Sequence, residues 1–227
     1  MPKYNDGKTS QVRRKTKRVK YAFKAKQVAD IKRIAKKVAE AVPEVKNFDQ
    51  PLSSLQIQRA VASPIVQDIS AMSQGLTENT RVGNHIQPTY VGGRYTIHGI
   101  VGSSNVQTIV RVMLIQFLEN SADAGNPTWG TLLQDPSRPF DWAQSNKTGT
   151  YKVLYDARHI ISNYAQNEAF NVYGEFNISR KSLKVIDYVD NNTTGQNKLY
   201  FMAVSNEATL GQTPVLNADI RMKYTDC

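Results

Sequence analysis

The sequence predicts an all-β body of two antiparallel sheets, preceded by a basic arm and one amphipathic helix, on three observations. Apolar, β-branched and aromatic runs recur from residue 55 onward, each bounded by Gly, Asn, Asp, Pro or Ser, with no helix-period stretch between them. Inside these runs the residues alternate: Val106, Thr108, Val110, Val112 and Leu114 share one face, and Ile109, Arg111, Met113, Ile115 and Phe117 the other. Charge is also segregated. Residues 1–40 hold fourteen Lys/Arg against three Asp/Glu, a net of +11, so that with +10 for the whole chain the other 187 residues carry −1.

Residues 1–23 combine few large apolar side chains with a dense run of like charge in Arg13, Arg14, Lys15, Lys17, Arg18 and Lys20. Such a segment cannot bury enough surface to order itself, and its charges repel. It is expected to be a disordered arm until a polyanion, nucleic acid above all, neutralises it. A solvated basic tail or an import signal is the plainer reading of the same cluster. From Lys24 to Val42 the period changes: Val28, Ile31, Ala35, Val38 and Val42 recur every three or four residues, while Lys24, Lys26, Lys32, Arg33, Lys36 and Lys37 fill the remaining surface. Pro43 ends the run, which predicts a basic amphipathic helix over 24–42. Its stripe is too thin and short for a stable isolated coiled coil, so it should pack on copies of itself or on the body. The basic residues named in arm and helix are the candidate nucleic-acid contacts.

Residues 43–54, with Pro43 and Pro51, read as a linker. The body then spans 55–227, with eight strands expected near 55–71, 85–101, 106–118, 151–162, 169–179, 182–189, 198–205 and 215–225. Eight antiparallel strands without helical interruption predict a single jelly roll. Leu199, Phe201 and Ala203 oppose Tyr200, Met202 and Val204, so this strand, like 106–118, is apolar on both faces, as at a sandwich centre or a contact between subunits. Gly92-Gly93 suggests a β-bulge. The segment 119–150, with three prolines and two tryptophans, is the main loop, and loops of that length are usually functional.

Catalytic chemistry is not indicated. His85, His98 and His159 are scattered, and no nucleophile elbow, phosphate-cradling loop or His-x-x-x-His pair occurs, so an enzyme is not expected. Asp156-Ala157-Arg158-His159 reads as a structural or interfacial ion pair rather than a site. Tyr90, Tyr95, Tyr151, Tyr155, Tyr164, Tyr173, Tyr188 and Tyr200 offer rings on which bases can stack, but at alternate strand positions core or interface is the commoner role. Cys227 is the single cysteine, which excludes an internal disulfide framework and a cysteine zinc site. No signal-peptide core and no run of about eighteen apolar residues is present, so synthesis in the cytoplasm without membrane insertion is expected. The sequons at Asn146, Asn177, Asn191 and Asn192 then count as chance matches.

Local residues add a resemblance. Gln74-Gly75-Leu76-Thr77-Glu78-Asn79-Thr80-Arg81-Val82-Gly83 resembles the Gln-Gly-x-x-x-Asn-x-Arg-x-Gly stretch of coat proteins of the satellite tobacco necrosis virus type. Tyr151–Asp156, Glu44-Val45-Lys46-Asn47-Phe48 and the terminal Tyr224-Thr225-Asp226 are similar to patches of the same family, in the same order. Related capsids occur in circular Rep-encoding single-stranded DNA viruses, so DNA and RNA cargo both remain open. The resemblance implies a capsid protein of roughly sixty copies in the smallest icosahedral (T=1) shell. It places the arm inside on a single-stranded genome and the helices 24–42 about the threefold axes. Localisation would be the virion, after synthesis in the host cytoplasm, with nuclear import as an option. No cofactor is required. Calcium at subunit contacts is a further implication, with Glu44 and Asp226 as carboxylate ligands and carbonyls near Val82 and His85 beside them; two unrelated exposed acids are the plain alternative. A cellular nucleic-acid-binding or chaperone-like protein with a basic tail is the rival reading, and an all-β hydrolase or lectin a third.

Overall fold

The computed structural model describes residues 30, 32, 44–60, 64–99, 107–144, 149–162, 170–208 and 212–226. The chain divides into two units, Met1–Glu44 and Val45–Cys227. In the first, Asp30 and Lys32 are helical and exposed, and the remainder of the predicted arm and helix lies outside the described residues.

The second unit is all β. Its strands are β1 (Val45–Gln56), β2 (Ile65–Asp68), β3 (His85–His98), β4 (Gln107–Phe117), β5 (Tyr151–Ser162), β6 (Asn171–Ser179), β7 (Ile186–Tyr188), β8 (Gly195–Gln196), β9 (Lys198–Ser205) and β10 (Val215–Asp226). Two single-turn helices, α1 (Ser121–Ala124) and α2 (Trp129–Leu132), lie between β4 and β5. The first sheet runs β1-β10-β3, with β6 on one part of β3 and β7, then β8, on the other; the second runs β2-β9-β4-β5. All of these pairings are antiparallel. With the short β7 and β8 set aside, each sheet has four strands, and every connection except the β4–β5 hairpin crosses from one sheet to the other. That is the double Greek key of a jelly roll.

Three local expectations are corrected. Residues 43–54 are not a linker: all but the first two belong to β1. Phe48 and Leu52 turn inward as any half-buried strand requires, and Pro51 is tolerated because β1 is a sheet edge, where a missing N–H costs no ladder bond. The expected strand 55–71 is divided: Leu55 and Gln56 end β1, and Ile65–Asp68 form β2; within the expected strand 182–189, Ile186–Tyr188 form β7. Finally, Gly92-Gly93 makes no bulge. The register of β3 against β10 slips between Tyr90 and Pro88 instead, and the two glycines make room for rings. A Cβ on Gly92 would run into the ring of Tyr90 on the outer face, and one on Gly93 would meet Phe176 Cζ at 2.5 Å on the inner face.

Between the sheets the core contains Ile86, Val91, Ile97, Val110, Val112, Leu114, Leu199, Phe201, Leu216 and Ile220, all nearly or fully buried. A second core covers the opposite face of β4 and β9. There Met113, Ile115, Phe117, Tyr200, Met202 and Val204 are capped by Trp129, Leu132 and Leu133 from the β4–β5 segment. The apolar second face read from the sequence is thus covered by the chain itself. Arg111 pins that cover: its Nε and Nη2 fork onto Asp156 at 2.8 and 2.7 Å, while Nη1 donates to the carbonyls of Asp141 at 2.6 Å and Pro139 at 3.2 Å. Trp129 is the largest side chain in this core, and its indole N–H has no hydrogen-bond partner among the described residues. Trp129→Ala should therefore cost about 3–5 kcal/mol in urea unfolding. Trp129→Phe, which deletes the idle donor and keeps most of the ring, should cost clearly less, and equal losses for the two would show that the N–H matters.

Candidate functional site

The predicted nucleic-acid contacts Arg13, Arg14, Lys15, Lys17, Arg18, Lys20, Lys24, Lys26, Arg33, Lys36 and Lys37 lie outside the described residues, and Lys32 is an exposed helical residue. Within the body the open surface of the first sheet is charge-balanced: Arg94, Arg221 and Lys223 stand among Asp49, Asp219 and Glu175 on outward positions of β1, β10, β3 and β6. Arg221 forks onto Asp49 at 2.6 and 2.7 Å, and these bonds hold the Asp49 carboxyl below its usual range. Arg94 Nε lies 4.0 Å from Glu175.

The residues Asp156–His159 are split by strand alternation. Asp156 faces out to Arg111, whereas His159 faces in, where Tyr95 O–H meets both its Nε2 and the Tyr155 hydroxyl at 2.8 Å. Burial pushes the His159 imidazole below its usual pKa and the Tyr95 phenol up. The group is a structural ion pair plus an inter-sheet polar link, and the side chains share no surface. Of the eight tyrosines singled out earlier, Tyr95, Tyr151, Tyr188 and Tyr200 are buried core, Tyr164 lies outside the described residues, and Tyr173 is 75% exposed. Its parity with Asn171, Glu175 and Asn177 was the available signal, because the polar face of β6 is the outer one.

Arg81, from the motif that carried the resemblance, is fully buried. Nε donates to Met72 O at 3.3 Å, Nη1 to Gly83 O and Asn84 Oδ1 at 2.6 and 3.0 Å, and Nη2 to Asp190 O and Asn192 O at 2.7 and 2.9 Å. All five guanidinium donors are used, which a buried arginine requires. They tie the β2–β3 loop to the β7–β8 turn. The Arg81 guanidinium and Lys198 Nζ both lie over the ring of Tyr188, at 4.2 and 4.3 Å from its centroid. Lys198 donates to Ser70 O at 2.5 Å and pairs with Asp68 at 3.4 Å. Sequence reasoning missed this cluster, since neither Asp68 nor Lys198 belongs to a motif.

For calcium, the expected ligands are engaged otherwise. Asp226 Oδ2 pairs with Lys46 Nζ at 2.8 Å, its Oδ1 accepts from Val82 N–H at 3.2 Å, and the Val82 carbonyl accepts from Gln74 at 2.8 Å. His85 Nδ1 lies 2.6 Å from Asp187, and Glu44 is exposed just ahead of β1. Among the described residues no three His, Cys, Asp or Glu side chains converge. Calcium needs several oxygens at once, so within one chain these residues do not fit it.

In sequence, no family model and no curated protein matches this chain. The solved structures that this chain matches at low identity include two of viral origin. One is of Desmodium yellow mottle tymovirus, with TM-score 0.38 and 14% identity over 82% of this chain and 89% of that one. The other is the semi-empty virus-like particle of giant freshwater prawn Macrobrachium rosenbergii nodavirus, with TM-score 0.36 and 11% identity over 82% of this chain and 95% of that one. No helix among the described residues is long and apolar enough to cross a membrane.

Two outcomes follow from these ion pairs. Burial pushes the Lys198 ammonium down from 10.5 to about 8, against the pull of Asp68. Between those values the unfolded chain holds a proton that the folded chain has shed, so stability rises with pH there. Burial pushes Tyr95, Tyr188 and Tyr200 above the 10.0 of free tyrosine, so the folded chain keeps protons that the unfolded chain loses, and stability falls beyond that pH. Urea titrations should show stability climbing from about pH 8 to about pH 9.5 and turning down above about pH 10, with the climb absent in Lys198→Met. A flat wild-type curve would mean that Lys198 titrates as an ordinary amine. The melting temperature of the purified protein should be the same with and without chelator; a fall of several degrees on chelation would put a divalent ion at Asp226.

Proposed function

We propose that this chain is the structural protein of a small viral capsid, which assembles into a closed icosahedral shell and packages a single-stranded genome through its basic N-terminal residues. The observation that carries the reading is the charge division: +11 in the first forty residues against −1 in the rest, attached to a jelly-roll body whose open sheet face is itself balanced. Jelly rolls of two four-stranded sheets serve as capsid and lectin domains. A body without excess charge can pack against its own copies, while a separate cationic segment neutralises phosphates, so the two tasks do not compete. Repeated heterologous contacts that close under point-group symmetry give a finite shell.

Size-exclusion chromatography with electron microscopy is the primary test: closed shells are expected, and a species of tens of kilodaltons with no shells would favour a cellular nucleic-acid-binding protein with a basic tail. Removing residues 1–23 should leave the body folded and strip nucleic acid from the particles, read as a fall in the 260/280 nm absorbance ratio to that of bare protein. With roughly sixty copies at +11 each, about 660 positive charges line the interior. Cargo charge exceeding this by about twofold, with small ions neutralising the rest, sets an expected length of about one kilobase. A single extracted molecule several times longer would require a larger shell or another condensing agent, and the particle diameter decides between them.

A further inference from the structure

The open face of the first sheet holds a trough that its ion pairs do not fill. A cavity of about 640 Å³ is walled by Pro51, Arg94, Tyr173, Glu175, Asn217 and Asp219, from all four long strands of that sheet. A second, of about 420 Å³, shares Pro51, Arg94, Glu175 and Asp219 with the first and continues past Gly92 toward Arg221 and Asn177. The larger volume falls in the range of small-molecule sites. The side chains on its rim stand in solvent: Tyr173 is 75% exposed, and the Arg94 and Glu175 side chains, 88% and 70% exposed, form a long ion pair at 4.0 Å. A tyrosine exposed on a sheet face adds little to the core, and a ring and an exposed guanidinium lining one trough offer two planes for stacking.

The charge of the trough selects its ligand. Arg94 is set against Glu175 and Asp219, so the site does not concentrate phosphate. What it presents is one aromatic face, one guanidinium plane, two carboxylates that accept N–H donors, and the side chains of Thr96 and Asn217. A nucleobase has the complementary parts: a π-face, amino and imino donors, and carbonyl acceptors. We propose that this trough takes an unpaired base of single-stranded nucleic acid, stacked on Tyr173 under Arg94, with its N–H edge toward Asp219 and Glu175. The proposal rests on the reading of the chain as a single-strand packager and divides that work: the N-terminal cations hold phosphates, and the sheet face holds bases.

The test uses the full chain with two short oligonucleotides of equal length and phosphate count, one bearing pyrimidines and one abasic, measured by fluorescence anisotropy over a range of salt. Wild type should prefer the base-bearing strand by about 5- to 150-fold, the worth of one base stacked on an aromatic ring. Tyr173→Ala should erase most of that preference without changing the slope of affinity against salt, because no phosphate contact is lost; Tyr173→Trp should retain it. Irradiation of a strand carrying 5-iodouracil should place the adduct on Tyr173. Full preference in Tyr173→Ala, or adducts only elsewhere, overturns the trough. The wider reading fails separately: a chain that binds neither strand is no packager at all, whereas equal binding of both removes only the base site. Since Tyr173 lies outside the core, an unchanged melting curve for the alanine variant checks that its fold is intact.

Discussion

A sheet that is apolar on both faces must be covered twice, and the rest of this body is arranged around that requirement. In β4 and β9 nearly every side chain is buried, on either face. The first sheet covers one side, and the β4–β5 segment folds back over the other with Trp129, Leu132 and Leu133. Burial of apolar area at about 25 cal/mol per Å² drives both contacts. The two sheets differ in consequence: β4 and β9 of the second are enclosed, with its edge strand β5 partly exposed, and among the described residues the first sheet keeps the broader open face. The polar positions on that face, and the trough among them, lie where none of the described segments of the body covers the sheet.

Buried cations fasten what the apolar contacts leave loose. Arg81 and Lys198 do not strengthen the core by being charged, since each must be desolvated and burial moves Lys198 toward neutrality. Their value is geometric. Arg81 joins loops more than a hundred residues apart in sequence by the two hydrogen bonds of Nη2, while three others fix it in its own loop, and Arg111 does the same for the cover of the second sheet. Loops fixed by such bonds present a defined surface, which repeated contacts between copies require. The Lys46–Asp226 pair plays this part where the first and last strands of the body lie side by side.

The sequence disclosed the strands with clean alternation, and β4, β5, β9 and β10 lie within about two residues of expectation because period-2 patterning there agrees with burial. It hid β1, since two prolines and mixed polarity outweighed the weaker alternation of Phe48 and Leu52. The glycine pair misled for a related reason: a glycine in a strand signals a bulge and a ring crossing equally well, and only tertiary contacts separate the two. The motif around Arg81 was visible as a pattern, but four of its five acceptors are backbone carbonyls, which any residue supplies. The ion pairs of Asp68 with Lys198 and Asp226 with Lys46 join positions far apart in the chain, so local spacing carries no trace of them.

The register of β1 against β10 also sets a timetable. Val45 pairs with Thr225, and β10 lies between β1 and β3, so the centre of the first sheet is the last strand to be synthesised. During translation β1 and β3 wait with no neighbour between them, and the sandwich closes only when Val215–Asp226 has left the ribosome. Folding of this kind is dominated by long-range contacts, so it waits for the chain instead of keeping pace with it. The basic residues of 1–40 are synthesised before any strand of the body.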